Sequence, residues 1–215
     1  MIIGLCGFIG SGKDTAADFL VQSGFQKESF ADTLKDTASA IFGWDRNLLE
    51  GHTKEAREWR EQVDPWWAER LAMPTLTPRW VLQYIGTDVF RNNFHSDIWV
   101  ASLEKKLYDN KDKDIVISDC RFPNEVKAIQ KAGGKVAWVK RGDLPEWIDI
   151  GIDACNGHKI AINEMKHLGI HPSEWSWLTS DFDAEIFNEY DLDYLYNEVE
   201  EKLINNQVID HRVSI

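Results

Sequence analysis

The chain has 215 residues, of which 43% are hydrophobic and 28% charged, and its formal net charge is −12. That length suits one domain with an inserted lid or flap, and no apolar run approaches the span of a membrane. The acidity excludes a general nucleic-acid binder, because a polyanionic partner would meet a repulsive field, so any phosphate site must be locally basic. The first apolar segment lacks a cationic start and a small-residue cleavage site, so no signal peptide is expected. Three scattered cysteines, Cys6, Cys120 and Cys155, fit a reducing compartment. The expected location is cytoplasmic, the host cytoplasm if a phage encodes the chain.

Ile2, Ile3, Leu5 and Cys6 form a short apolar run suited to a strand buried on both faces of a parallel sheet. Gly7-Phe8-Ile9-Gly10-Ser11-Gly12-Lys13 follows, and Ala16, Ala17, Phe19, Leu20 and Val21 then recur at helical spacing. A glycine loop between strand and helix is the setting of a phosphate cradle: backbone N–H groups curl around an anion, the helix presents its unpaired amides, and Lys13 is spaced for the β- and γ-phosphates. Gly10, Ser11, Gly12, Lys13, Asp14 and Thr15 are therefore the nucleotide-binding candidates. Asp14 stands where a hydroxyl usually binds Mg²⁺, with Thr15 next. Asp14 either ligates the metal or its water, or caps the helix while Thr15 meets a phosphate.

Gln26 to Phe30 reads as a second strand, and a helix starting at Ala31 to Asp36 carries Leu34, Ala38, Ile41 and Phe42 on one face, with Gly43 as its cap. Lys35 is the notable cation there. Residues 46–73 mix aromatics and charges, and Arg57 and Arg60 project from one side of a helix. They either grip a substrate phosphate or pair with glutamates. Thr77-Pro78 starts a helix that Gly86 is expected to end, and Trp99, Leu103 and Leu107 mark the buried stripe of the next, at 97–107. Residues 109–114 form a charged turn.

Ile115-Val116-Ile117-Ser118-Asp119 is the second strong strand. An apolar strand ending in Asp is how phosphate-loop proteins set a carboxylate beside Mg²⁺. Arg121 lies just beyond, at the carboxyl edge where ligands bind in open α/β sheets. A helix at 123–132 and a strand at 135–140 bring Arg141 to the same edge. Residues 142–182 read as a polar, loop-like insertion. Its Cys155, His158, His167 and His171 have zinc-like spacings without a second cysteine pair, so zinc is not assigned. Ala184 to Phe187 is the expected last strand, and Leu192, Leu195, Tyr196, Val199 and Leu203 the stripe of a closing helix. The acidic C-terminal region reads as a solvated face. Of the ten tryptophans, Trp99, Trp175 and Trp177 sit near motifs where a base could stack, although packing is the commoner use.

Together, Gly-Ser-Gly-Lys-Asp-Thr at 10–15, Leu82 to Asp88 with Asn92-Asn93-Phe94 and Trp99, Ser118 to Arg121, Val139 to Arg141 and His171 to Glu174 resemble the bacteriophage deoxynucleoside monophosphate kinases. The resemblance touches more than half of the chain and is weakest at 43–76 and 142–170. It implies a three-layer α/β phosphate-loop kinase fold across 1–215: a five-stranded parallel sheet flanked by helices, a substrate-binding helical region at about 43–110 and a lid at about 142–178. It implies transfer of the ATP γ-phosphoryl to a 5′-dNMP with Mg²⁺. Lys13, Asp14 and Thr15 would hold ATP and its metal. Lys35, Arg79 and Gly86-Thr87-Asp88 would serve the dNMP, with Trp99 nearby. Ile9 and Gly10 occupy positions that are basic in the family, which brings Arg57 and Arg60 forward as phosphate contacts.

In that scheme Lys13, Asp119 and Arg121 carry the catalysis, with Asp14, Thr15 and Asp119 on the metal side and Arg141 near the adenine or lid-side phosphates. The acceptor is a phosphate oxygen already anionic at neutral pH, so no strong general base is required. Catalysis amounts to in-line alignment of two polyanions and neutralisation of the transferring group. Base choice, discrimination of the 2′-hydroxyl and a homodimer stay open. The competing readings are another small-molecule phosphate-loop kinase, such as one acting on dephospho-coenzyme A, and a non-catalytic nucleotide-binding assembly or regulatory protein.

Overall fold

The computed structural model describes residues 1–110 and 112–205; Lys111, inside the charged turn expected at 109–114, lies outside the described residues. The chain divides into two compact units, one built from Met1–Ser29 with the chain from Tyr108 onward, the other from Phe30–Leu107. Among the described residues no helix is long and apolar enough to cross a membrane.

The first unit is an α/β layer structure around one parallel sheet. Its strands are β1 (Ile2–Cys6), β2 (Gln26–Glu28), β3 (Ile115–Ile117), β4 (Lys135–Lys140) and β5 (Ala184–Phe187), in the order β2-β3-β1-β4-β5. The register pairs Gly4 with Ile117 on one side and with Val136 on the other. β1 thus lies at the centre, and the loop that follows it opens at the carboxyl edge between β3 and β4. Alternation along β1 sends Ile3 and Leu5 to one face, where they join Ala16, Ala17 and Leu20 of the helix Lys13–Gln22 and Leu195 and Val199 of the helix Leu192–Val199. Gly4 points the other way. A Cβ there would lie 2.7 Å from Ile129, so the missing side chain lets the helix Pro123–Lys131 close on the opposite face.

Residues 142–182 are more helical than the sequence reading allowed. Ile148–Cys155 and Lys159–His167 are helices and Pro172–Glu174 is a short 3₁₀ turn. Their buried positions are small or flexible, Gly151, Ala154, Ala161 and Met165, while Ile160 is 83% exposed. That is why no apolar stripe marked them. The C-terminal acids are not uniformly solvated either. Asp183 accepts from Val136 N at 2.8 Å, and Glu198 accepts from Phe187 N at 3.0 Å and Lys202 at 2.6 Å, tying β5 and the last helix to the sheet.

The second unit is all helical: Asp32–Phe42, Arg46–Glu50, Lys54–Glu61, Pro65–Arg70 and Pro78–Gln83, then a wider i→i+5 stretch at Tyr84–Asn92 and the helix starting at Ile98. Side chains of Asp45, Thr53, Asp64 and Thr77 cap four of these starts. The core gathers Ala38, Trp44, Leu49, Ala68, Leu76 and Val81. Tryptophan packing dominates it, with Trp44 donating to Asp64 at 2.8 Å and Trp67 to Phe42 O at 3.0 Å.

Three expectations change here. Ile41 is 56% exposed, so the stripe of its helix runs through Leu34 and Ala38. The second strand stops at Glu28, short of Phe30. Gly86 does not end a helix: it sits within the wide-pitched stretch, where a Cβ would lie 2.7 Å from Leu34. Its lack of a side chain serves close approach between helices rather than termination.

Candidate active site

The loop after β1 owes its shape to glycines that no other residue replaces without strain. Gly10 and Gly12 have φ of +81° and +97°, and a Cβ on Gly7 would lie 2.5 Å from Val139 O. Gly12 then leads into the helix Lys13–Gln22, whose first-turn amides face the loop. Lys13 is buried, and its Nζ donates to Gly7 O at 2.8 Å and Phe8 O at 2.9 Å. The ammonium is thus satisfied by its own loop. Burial, with the Arg121 charge nearby, lowers its pKa from 10.5 to about 8. Ser11 Oγ is buried without a hydrogen-bond partner among the described residues, an orphan that an oxygen-rich ligand would satisfy.

Around this loop the carboxyl edge carries the other candidates of the first unit. Asp14 Oδ1 accepts from Ser118 Oγ at 3.0 Å and lies 3.5 Å from Lys27 Nζ, with most of its side chain exposed. Asp119 Oδ2 accepts from Ser29 Oγ at 2.6 Å. Arg121 Nη1 pairs with Glu174 Oε1 at 2.9 Å, and its backbone N–H donates to Glu125 Oε2 at 2.7 Å. Glu125, buried, also accepts from Phe122 N at 3.1 Å, so one carboxylate fixes the turn that presents Arg121. Glu125 was not singled out in the sequence, and Glu174 entered only within the His171 to Glu174 motif, without a role of its own. The Glu at the third position of a helix opened by Pro was a readable capping signal for Glu125, whereas nothing in the motif of Glu174 pointed to its pairing with Arg121.

Arg141 borders a cavity of about 200 Å³ beside the loop, shared with Phe8, Ile9, Trp138, Leu144 and Pro145. Thr15 lies on the helix after Asp14, partly buried. For a divalent cation, Asp14, Thr15 and Asp119 offer hard oxygen donors. Among the described residues no three His, Cys, Asp or Glu side chains converge into a metal cage. Mg²⁺ needs none in such sites, because it is held by one or two carboxylates and the substrate phosphates, so the residues present fit it. The zinc-like set does not converge: Cys155 Sγ donates to Trp175 O, His158 faces Asp153, and His171 Nδ1 accepts from Ser173 N.

The second unit holds the remaining candidates. Arg57 donates to Gly51 O at 3.2 Å and His52 O at 3.0 Å, and Arg60 to Leu49 O at 3.4 Å. The expected choice between a phosphate grip and glutamate pairs is thus met by a third arrangement, two guanidiniums on the carbonyl end of the helix Arg46–Glu50, where its dipole favours cations. Arg60 Nε is buried and has no hydrogen-bond partner among the described residues. Burial and the neighbouring Arg79 lower its pKa. Gly51 makes room for this contact: a Cβ there would lie 2.2 Å from Arg60 Nη2 and push the guanidinium aside, and its φ is +70°.

Lys35 Nζ binds Glu50 at 2.6 Å, and Arg46 binds the same carboxylate. Burial alone would raise the Glu50 carboxyl, but these two cations hold it below the usual range. Arg79 pairs with Glu61 at 3.2 Å. In the Gly86-Thr87-Asp88 turn, Gly86 O accepts from Trp99 Nε1 at 2.8 Å. Trp99 is buried and packs edge-on against Phe90, and Trp175 and Trp177 are buried too. None of the three offers an open face for a base, so they pack, and Trp99 acts by holding the Gly86 backbone.

Comparison with known proteins bears on what these residues serve. The family model for deoxynucleotide monophosphate kinase matches residues 69–164. A protein of Acanthamoeba polyphaga mimivirus, provisionally named a deoxynucleotide monophosphate kinase, is 35% identical over 156 residues, which cover 66% of this chain and 74% of that one. The chain belongs to the deoxynucleotide monophosphate kinase family. The deoxynucleoside-5′-monophosphate kinase of Escherichia phage T5 is 26% identical over 180 residues, covering 61% of this chain and 72% of its own. Among solved structures, dephospho-CoA kinase from Campylobacter jejuni is 16% identical with a TM-score of 0.41, covering 98% of this chain and 96% of its own, a likeness too slight to carry an argument. As a member of the deoxynucleotide monophosphate kinase family, the chain is a kinase. The matched stretch includes Arg79, Gly86-Thr87-Asp88, Asp119, Arg121 and Arg141, while the phosphate loop lies outside it. The loop, which points to a nucleotide phosphate, and the family model, which points to a kinase, therefore rest on different residues.

Proposed function

We propose that this kinase transfers the γ-phosphoryl of ATP to the phosphate of a 5′-deoxynucleoside monophosphate, releasing ADP and the deoxynucleoside diphosphate. The observation that carries this reading is the glycine loop with Lys13 buried in its throat, on a chain of this family. The loop and Lys13 hold the ATP phosphates. Lys13 exchanges its two loop carbonyls for phosphate oxygens, a replacement of neutral acceptors by charged ones that favours the bound state. Asp14, Thr15 and Asp119 would hold Mg²⁺, which when bound neutralises phosphate charge. Arg121, released from Glu174, balances the charge of the transferring group.

On the acceptor side the reading assigns Arg57, Arg60 and Arg79 to the monophosphate. Lys35 and the Gly86-Thr87-Asp88 turn stand beside it, and Arg141 belongs to the donor. The unpaired Arg60 Nε, crowded by Arg79, is the sharpest support for a second anion. The acceptor needs no base to remove a proton, because its attacking oxygen is already anionic. The residues 142–178 form the lid that excludes water and keeps ATP from hydrolysis.

Coupled ADP release with ATP and, in turn, dGMP, dTMP, dCMP, dAMP, GMP and dephospho-coenzyme A tests this reading. ADP formation should depend on one or more deoxynucleotides and be weak with GMP. Turnover only with dephospho-coenzyme A would reassign the acceptor, and ADP release indifferent to every acceptor would sink the reading.

A further inference from the structure

The residue directly after β5, Asn188, is polar yet buried, with 8% of its surface exposed. Its backbone N–H donates to Lys140 O at 2.8 Å, one step beyond the last ladder pair, Lys140 with Phe187. That bond fixes its side chain over the phosphate loop, where Nδ2 donates to Ser11 O at 2.9 Å. Gly12 makes room for it: a Cβ there would lie 2.4 Å from Asn188 Nδ2, and the φ of +97° is itself a glycine conformation.

A planar trans peptide points its C=O and the following N–H in opposite directions. Holding Ser11 O therefore sets the Ser11–Gly12 peptide, with the Gly12 N–H directed away from Asn188. We infer that Asn188 is a positioning residue for the donor nucleotide: its carboxamide grips the Ser11 carbonyl so that the Gly12 amide faces a phosphate oxygen. A loop in this conformation has many glycine alternatives when free, and each fixed peptide removes ordering that the nucleotide would otherwise have to impose. The same asparagine joins the loop to the end of β4, next to Arg141, through its bond to Lys140. The inference rests on the reading of the loop as the ATP cradle.

Asn188→Leu removes the donor at similar size, and Asn188→Asp keeps the shape but turns an acceptor toward Ser11 O. Calorimetric titration of the full chain with Mg·ATP should show the Kd raised on the order of tenfold in each. The KM of the deoxynucleotide acceptor should stay within about twofold, a split that general loosening of the fold would not produce. An ATP Kd within about twofold of wild type in either folded variant overturns the inference. If neither variant folds, the amide spectrum of the ¹⁵N-labelled wild type decides: the Gly12 N–H should move downfield on adding ATP, and an unmoved Gly12 resonance overturns the inference. A wild type that binds ATP but phosphorylates no deoxynucleotide sinks the functional reading while the same Kd ratio still decides this one. A wild type that binds no ATP sinks both.

Discussion

In the phosphate loop one buried lysine is satisfied by two carbonyls of its own loop, whereas in the Phe30–Leu107 unit Arg79 and Arg57 lie near enough to Arg60 to oppose its charge. The first arrangement is a cation at rest in a rigid frame set by glycines and strand ends. The second is a cluster held in place by helix-end carbonyls and by Glu50 and Glu61, with Arg60 Nε unmatched. The lysine of the first kind is satisfied without a ligand and trades partners on binding, while Ser11 Oγ beside it gains one. In a cluster of the second kind Arg60 meets the repulsion of Arg79 and Arg57 beside the attraction of Glu61 and Glu50, and its buried Nε is open to a further acceptor. On the proposed reading the loop takes the donor's phosphates and the arginines the acceptor's, so perturbing each should produce a different kinetic signature.

The largest effect is expected at the loop. Lys13→Ala should lower the transfer rate by about a thousandfold with the melting temperature little changed, as read by coupled ADP release and calorimetry; near-normal turnover would refute the loop assignment. Next, Arg60→Ala should raise the KM of the deoxynucleotide on the order of thirtyfold and leave that of ATP nearly constant. The opposite split would move Arg60 to the donor side and erase the contrast between the regions.

The low pKa of Lys13 gives a pH test. The unfolded chain keeps this proton up to 10.5 and the folded chain only to about 8, so between those values the unfolded state binds more protons and stability rises with pH. Below about 8 the penalty for burying the charge is fully present. Denaturant titrations should therefore show wild type gaining on Lys13→Met by on the order of 2 kcal/mol from neutral pH to the upper end of that window. Because the protonated lysine binds phosphate, kcat/KM for ATP should fall above about pH 8. A flat profile well into the alkaline range would contradict the burial argument.

Smaller effects sharpen the acceptor side. Gly51→Ala forces Arg60 aside and strains a positive φ, so it should cost about 1–2 kcal/mol of stability and reproduce in milder form the acceptor KM defect of Arg60→Ala. Glu174→Gln releases Arg121 from a partly exposed pair and should change kcat by less than about threefold. A large loss would mean that Glu174 holds Arg121 in place for catalysis rather than storing it.

The same two regions differ in how far the sequence revealed them. Strand, glycine loop and helix were legible because each residue type has one physical use there: β-branched residues for the buried strand, glycines for positive φ, lysine for phosphate. The apolar strand before Asp119 and the closing helix followed the same logic, although the strand expected over 115–119 stops at Ile117. The Phe30–Leu107 unit was less legible because the placement of its charged side chains depends on tertiary contacts. Nothing in the spacing of Arg57 and Arg60 announced that both would lie on carbonyls around Gly51, and Gly86 read as a stop when it is a point of close packing. Asn188 was invisible for a related reason. Its meaning comes from the β4–β5 register that brings residue 188 to residue 11.

Mixing γ-labelled ATP with an accepted deoxynucleoside monophosphate and resolving the products tests the central claim most directly. The account predicts label in the deoxynucleoside diphosphate, with little free inorganic phosphate and a rate that vanishes without the acceptor. Label appearing chiefly as inorganic phosphate, at a rate unchanged by the acceptor, would contradict it.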